Sequence, residues 1–128
     1  MDTTLSINFV GDICFHGIDD DKIEIDDSIL KLFRSADLNC GNLESPLTTS
    51  DAILKGQPIY LKGLQKSNPI FDIFDIYSLA NNRIMDFGTD GLQETICFLQ
   101  KGNKYFFGAG LNREEAEKPI IVEHKGFK

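Results

Sequence analysis

Residues 79–91 of the chain, LANNRIMDFGTDG, predict the end of a strand, a polar turn and the start of a helix. Leu79 suits a buried strand close to its carboxyl end, and the paired asparagines stop that strand, because asparagine accepts unusual backbone angles and bonds locally. Thr89 or Asp90 is expected to cap a helix that runs to about Gln100. In open α/β sheets, ligands bind where strand ends deliver polar side chains, so this turn is expected to border a site.

The polar residues of the turn are Asn81, Asn82 and Arg83, and acidic side chains follow two other predicted strands. The alternating apolar residues before Asp12 predict a strand with one mostly buried face that delivers this acid at its carboxyl end. A short second strand, Leu38–Gly41, places Glu44 in the same position. The loops at neighbouring strand ends of a parallel sheet therefore carry the polar side chains that a shared site needs.

The rest of the chain alternates helices and strands. The further predicted elements are a helix around Ile29–Phe33 capped by Asp27 or Ser28, with Ile29, Leu30, Leu32 and Phe33 inward, a helix from Pro69 capped by Ser67 or Asn68, a strand at Tyr105–Phe107, a helix at Arg113–Glu117 capped by Asn112, and a strand at Ile120–Val122. This alternation predicts an α/β fold with a largely parallel sheet and flanking helices, in one domain over residues 1–128.

Composition limits the function classes. The chain has 128 residues, of which 41% are hydrophobic, which is enough to build a packed core. Its net charge of -7 argues against a nucleic-acid or anionic-membrane partner. The first residues, Met1–Thr4, lack the basic flank and apolar run of a signal peptide, and no membrane segment is apparent, which predicts a cytoplasmic location. The run Asp19–Asp21 lacks the EF-hand pattern and is expected to be a solvated acidic loop.

Several segments in order resemble one protein family. They are Phe9–Asp12, Asp37–Pro46, Leu79–Gly91 and Gly108–Asn112 followed by Ala116–Pro119. From about Ser6 to Lys128 their order and spacing resemble the CapA family, which is linked to bacterial capsule and poly-γ-glutamate synthesis. The fold of that family is similar to the calcineurin-like metallophosphoesterases, so the resemblance implies half of a metallophosphoesterase-like sandwich.

The resemblance also implies a divalent-metal site at Asp12, Glu44 and Asn82. Carboxylate and amide oxygens are hard ligands that suit Mn²⁺ or Mg²⁺, and an imidazole would widen the choice to Zn²⁺ or Fe²⁺. Metal ions at such a site clamp a phosphoryl group and activate water, as in a phosphoesterase-type hydrolase. On this interpretation Asp12, Asn82 and Arg83 are catalytic, and Arg83 and Asn81 bind an anionic small-molecule or polymer substrate.

The chain departs from the family pattern in two respects. Arg83 stands where the family typically has a histidine, and arginine cannot bind a metal because it stays protonated. We expect Arg83 either to hold a phosphate or carboxylate group or to pair with a nearby acid. Family members also continue through a second half with further histidine motifs, so the resemblance implies the amino-terminal half of a larger fold.

These departures leave a second interpretation open. The chain would then be a non-catalytic CapA-like domain in a polymer-synthesis assembly. It could also self-associate, since a sheet without its second half exposes an edge strand and an apolar face. The family often works outside the cytoplasmic membrane behind an amino-terminal anchor, so the resemblance also allows an extracytoplasmic location.

Overall fold

The computed structural model describes residues 4–18, 22–54, 56 and 58–128, so the predictions for Met1–Thr3 and for the acidic run Asp19–Asp21 lie outside the described residues. The strands of this part are β1 (Ile7–Ile13), β2 (Leu38–Leu43), β3 (Ile76–Ser78) and β4 (Tyr105–Phe107), and the helices are α1 (Asp27–Ser35), α2 (Pro69–Ile73), α3 (Gly88–Lys101) and α4 (Arg113–Glu117). All strand pairs are parallel and the order is β1-β2-β3-β4. The predicted α/β class with a parallel sheet is confirmed.

One face of the sheet carries the main core. Ile13 and Leu43 are register partners in β1 and β2, and both are buried beneath side chains of the first three helices. In β3, Tyr77 is completely buried, and its ring stacks on Phe71 of α2 with centroids 5.6 Å apart. The Tyr77 hydroxyl donates to the main-chain oxygen of Phe71 at 2.9 Å, and burial raises the pKa of Tyr77. This packing fixes the strands whose carboxyl ends meet at the candidate site.

A smaller cluster covers part of the opposite face. Leu38, Cys40 and Ile76 are buried there, and Ile120 and Val122 pack against them. The prediction of a strand at residues 120–122 is therefore wrong, because this segment attaches to the sheet by its side chains and forms no ladder. A short apolar run does not by itself distinguish a strand from a buried irregular segment.

The burial predicted for β1 is also wrong. Phe9 is 75% exposed and Ile7 is 38% exposed, although both lie on the sheet. The reason is tertiary: β1 is an edge strand, and the segment that packs on this face reaches only residues of β2 and β3. The strand also continues through Asp12 to Ile13 instead of ending at the acid.

Helix α1 differs from its prediction in both cap and buried side. Its N-cap is Asp26, whose side chain accepts a hydrogen bond from the main-chain nitrogen of Ser28 at 2.8 Å. Ile29 and Leu32 are exposed, whereas Phe33 packs against the core. Four apolar residues in five positions leave the buried side of the helix ambiguous, and packing against the core decides it.

The N-caps of α2 and α4 agree with the prediction. The Asn68 side chain accepts from the main-chain nitrogen of Phe71 at 2.9 Å at the start of α2. Asn112 accepts from the nitrogen of Glu115 at the same distance in α4. The cap predicted for α3 is wrong, since that helix begins at Gly88 and has no side-chain cap bond. Its 14 residues make it the longest helix described, and none in the described part has the length and apolar character to span a bilayer.

Candidate functional site

The site begins at an irregularity between β1 and β2. Phe9 pairs with Cys40, but the next pair is Asp12 with Asn42, so β1 carries one extra residue. Such a bulge changes the direction of the following side chains, and here it brings Asp12 into register with Asn42. Side chains of β1 cover Gly41 of β2, where an added Cβ would lie 2.5 Å from Cδ1 of Ile13.

Two predicted metal ligands lie beside one amide. Nδ2 of Asn42 donates to Oδ1 of Asp12 and to Oε2 of Glu44, each at 2.8 Å. Those two carboxylate oxygens can therefore be no farther apart than twice that distance. Asp12 is exposed and Glu44 is half-buried, so the pair is open to solvent on one side.

Asn81 connects this cluster to the turn after β3. Its Nδ2 donates to Oδ1 of Asn42 at 3.0 Å and to the main-chain oxygen of Leu43 at 2.8 Å. Its Oδ1 accepts from the main-chain nitrogens of Arg83 and Ile84, both at 3.0 Å. Both amide hydrogens and both lone pairs of Asn81 are thus used within the protein.

The third predicted ligand, Asn82, lies next to Asn81 in the turn but has a different environment. It is exposed, and its side chain makes no hydrogen bond to any residue that the structure describes. The structure thus brings Asp12 and Glu44 together through Asn42, while Asn82 lies on the neighbouring turn without a hydrogen bond to either carboxylate.

Arg83 is directed into the protein. Its Nη1 donates to the main-chain oxygen of Ile59 at 2.9 Å and lies 3.7 Å from Oδ2 of Asp86. The side chain is 20% exposed. Of the two roles expected for Arg83, pairing with a nearby acid is the one that the structure shows.

Asp86 anchors a long loop beside the site. Its side chain is completely buried, and Oδ2 accepts from the main-chain nitrogen of Leu61 at 2.8 Å. Its main-chain oxygen accepts from the nitrogen of Leu54 at 2.9 Å. Asp86 thus holds the main chain at Leu54 and Leu61, and Arg83 holds it at Ile59. Oδ1 of Asp86 has no partner in the described part of the chain.

The donor set is compatible with a hard divalent cation. Asp12 and Glu44 each keep a second carboxylate oxygen that accepts no hydrogen bond from the described residues. In that part of the chain, no group of three or more His, Cys, Asp or Glu is arranged to hold a metal. His16 already accepts from the main-chain nitrogen of Lys62 through Nδ1, at 3.0 Å. A cation here would depend on two carboxylates completed by amide, main-chain or water oxygens, which Mn²⁺ and Mg²⁺ accept.

Sequence reasoning missed the roles of Asn42 and Asp86. Both lie inside the quoted motifs, at the end of β2 and in the turn after β3. Asn42 could have been found as the polar residue two positions before Glu44, since alternate residues of a strand share a face. Nothing in the sequence signalled that Asp86 would be buried.

The fold is a parallel sheet with helices, and two carboxylates and two linked asparagines lie at the carboxyl ends of its strands. These features define an α/β protein with a candidate cation site. The chain belongs to the bacterial capsule synthesis protein PGA_cap family, whose family model matches residues 6–128. It is 32% identical over 131 residues to the PGA biosynthesis protein CapA of Bacillus subtilis (strain 168), an alignment that covers 95% of this chain. The same alignment covers 34% of the relative, so the chain spans about a third of that protein's length. The family resemblance found in the motifs is confirmed.

Proposed function

We propose that this chain holds a divalent cation for phosphoester-type hydrolysis within a protein of capsule or poly-γ-glutamate synthesis. The observation that carries the proposal is the convergence of Asp12 and Glu44 on one amide nitrogen, at the carboxyl ends of adjacent parallel strands. This edge of a parallel sheet is where open α/β proteins bind ligands. The name of the curated relative supports the wider role in synthesis of this polymer.

The residues have separate tasks in this proposal. Asp12 and Glu44 supply negative charge and oxygen ligands for Mn²⁺ or Mg²⁺, and Asn82, the exposed amide nearby, supplies a further oxygen. When bound, the cation would polarise a phosphoryl oxygen and make bound water more acidic. Arg83 keeps Nε and Nη2 free of hydrogen bonds to the described residues, and these groups steady an anionic small-molecule or polymer substrate. Asn81, whose hydrogen bonds are all used internally, acts by holding the turn.

Thermal unfolding with and without MnCl₂ or MgCl₂ tests the metal site. A ligand that binds the folded state raises its stability by mass action, by about 2.7 kcal/mol at a hundredfold excess over Kd. We expect the melting temperature of the wild type to rise and that of Asp12→Ala to stay unchanged. Glu114→Ala is the matched control, because Glu114 is an exposed acid of α4, the helix that follows the opposite edge strand β4 in the chain. A wild type without a metal-dependent shift, or an equal shift in Asp12→Ala, contradicts the proposal.

A non-catalytic role in an assembly is the second candidate, and Arg83 is the observation that favours it. Arg83 occupies the position where the family typically has histidine, and its Nη1 is used by Ile59 and Asp86. The test is turnover of a phosphomonoester and a phosphodiester with Mn²⁺, using Arg83→His and, as control, Arg83→Lys. The hydrolase proposal expects Mn²⁺-dependent turnover in the wild type, whereas turnover that is present only in Arg83→His would show a competent scaffold in which the arginine prevents catalysis. Metal binding without turnover in any variant supports the assembly role.

Self-association is a separate part of this second candidate. The exposed Phe9 and Ile7 lie on the edge strand, where an unpaired backbone and apolar side chains both favour a partner. Light scattering across a concentration series tests it, with Phe9→Ser as the variant. A concentration-dependent rise in mass that Phe9→Ser removes supports self-association, and a strict monomer at high concentration contradicts it.

A further inference from the structure

Asn42 has a distinctive set of hydrogen bonds for a strand residue. Both hydrogens of its side-chain amide point to carboxylates, Oδ1 of Asp12 and Oε2 of Glu44, at equal distances of 2.8 Å. Its Oδ1 accepts from Nδ2 of Asn81 at 3.0 Å. Asn42 is half-buried in β2, while Asp12 is exposed, so the amide lies at the base of the acidic pair.

The partners of Asn42 leave one orientation for its amide. In the reversed orientation, Oδ1 would face two carboxylate oxygens, and Nδ2 would face the amide nitrogen of Asn81. Asn81 is itself fixed, because it also bonds the main chain of Leu43, Arg83 and Ile84. All the amide hydrogens of Asn42 and Asn81 have partners, so the network is rigid and holds the two bonded carboxylate oxygens in place.

The neutrality of Asn42 matters for a cation. Two carboxylates this close repel each other, and the positive end of the amide dipole between them reduces that repulsion. A lysine would do the same, but its charge would also repel a cation. A neutral amide does not offset the formal negative charge of the two acids. It also leaves each acid one carboxylate oxygen that accepts no hydrogen bond from a described residue.

We propose that Asn42 is a positioning residue of the metal site, which spaces Asp12 and Glu44 for one hard divalent cation and couples them to the turn after β3. This inference rests on the proposed function. Residues that orient metal ligands typically change metal affinity about 10–100-fold when mutated. Asn42→Ala is therefore expected to weaken Mn²⁺ binding by at least about tenfold.

The experiment is calorimetric titration of MnCl₂ into the wild type, Asn42→Ala and Asn8→Ala. Asn8 is the matched control, since its amide also donates across β1 and β2, to Oδ1 of Asn39 at 2.9 Å, at the other end of the strands. We expect Asn8→Ala to keep the wild-type Kd. A wild type that binds no Mn²⁺ contradicts the metal site itself, whereas equal Kd values for Asn42→Ala and wild type overturn only the role of Asn42.

Asn42→Asp provides a second readout and decides the question if Asn42→Ala does not fold. It keeps the shape of the side chain but replaces the donor with a third carboxylate. Repulsion then lowers the melting temperature without metal, and saturating MnCl₂ offsets that repulsion. A positioning role predicts a larger Mn²⁺-induced rise in melting temperature than in the wild type. A loss of stability that is the same with and without Mn²⁺ shows a merely structural role and overturns the proposal.

Discussion

Nη1 of Arg83 lies 3.7 Å from Oδ2 of Asp86, a carboxylate that is completely buried. The same Arg83 nitrogen donates to the main chain of Ile59, and Oδ2 of Asp86 accepts from the main chain of Leu61. The pair therefore joins the turn after β3 to the loop segment at Ile59 and Leu61. Since Asn81 ties this turn to Asn42 and the two acids, the loop and the candidate site are parts of one hydrogen-bonded unit.

Removing the arginine should destabilise the fold. Arg83→Ala leaves Asp86 buried without its cationic neighbour, and breaking a buried pair in this way costs about 3–5 kcal/mol. Urea denaturation measures the change in the free energy of unfolding. Arg113→Ala is the matched control, because Arg113 pairs with Glu117 on an exposed helix face, where such a pair is worth about 0.3–0.5 kcal/mol. Equal losses in the free energy of unfolding of the two variants would show that the Arg83–Asp86 pair contributes no more than an exposed ion pair.

A methyl group at Gly41 should disturb the site through the side chains of β1. The added Cβ would lie 2.5 Å from Cδ1 of Ile13 and 2.9 Å from Cγ2 of Val10. We expect Gly41→Ala to cost about 1–3 kcal/mol, as overpacking does, and to weaken Mn²⁺ binding because the Val10 and Ile13 side chains on either side of Asp12 must shift.

Gly11→Ala is the control for that substitution. Gly11 is adjacent to Asp12, yet a Cβ there would meet nothing within 4 Å. We expect a change in stability within about 0.5 kcal/mol and wild-type Mn²⁺ affinity. If both variants bind Mn²⁺ like the wild type, the packing of β1 side chains over Gly41 does not determine the site.

Stability should depend on pH through Glu94. The main-chain nitrogen of Thr49 donates to Oε2 of Glu94 at 2.8 Å, and this bond, with those from the Thr49 and Thr48 hydroxyls, lowers the pKa of Glu94. A lowered pKa in the folded state gives stability that is present above the unfolded value and is lost as pH falls through the folded value.

Glu94→Gln therefore has a pH-dependent effect. At pH 7 it should cost about 1 kcal/mol, because the hydrogen bonds involve a charged but partly solvated group. The difference from the wild type should narrow as pH falls below the ordinary value of 4.5. Free energies of unfolding across this range measure it. A difference in the free energy of unfolding that stays constant with pH would show that the effect comes from packing.

The sequence predicted those parts of the fold that depend on neighbouring residues. The start of α2 at Pro69 and of α4 at Arg113 follow from capping by Asn68 and Asn112, whose partners are three residues away. The start of α3 was mispredicted although the turn was recognised. Gly88 begins that helix with a positive φ of 63°, which glycine adopts readily, so the helix starts before either of the predicted caps.

Features that depend on distant residues were not predictable. The exposure of Phe9 follows from the position of β1 at the sheet edge, which a strand pattern does not encode. The role of Asn42 depends on the bulge that pairs it with Asp12, and the burial of Asp86 depends on a loop 25 residues earlier in the chain. The motifs identified both acids and the turn, and the register determined which side chains meet.

The proposed metal site requires that Asp12 and Glu44 together bind one divalent cation. It is tested most directly by titrating MnCl₂ into the wild type, Asp12→Ala and Glu44→Gln and measuring Kd by calorimetry. We expect saturable binding in the wild type and a loss of affinity of at least about tenfold, or 1.4 kcal/mol, in each variant. Absence of binding in the wild type, or the same Kd in all three proteins, would contradict it.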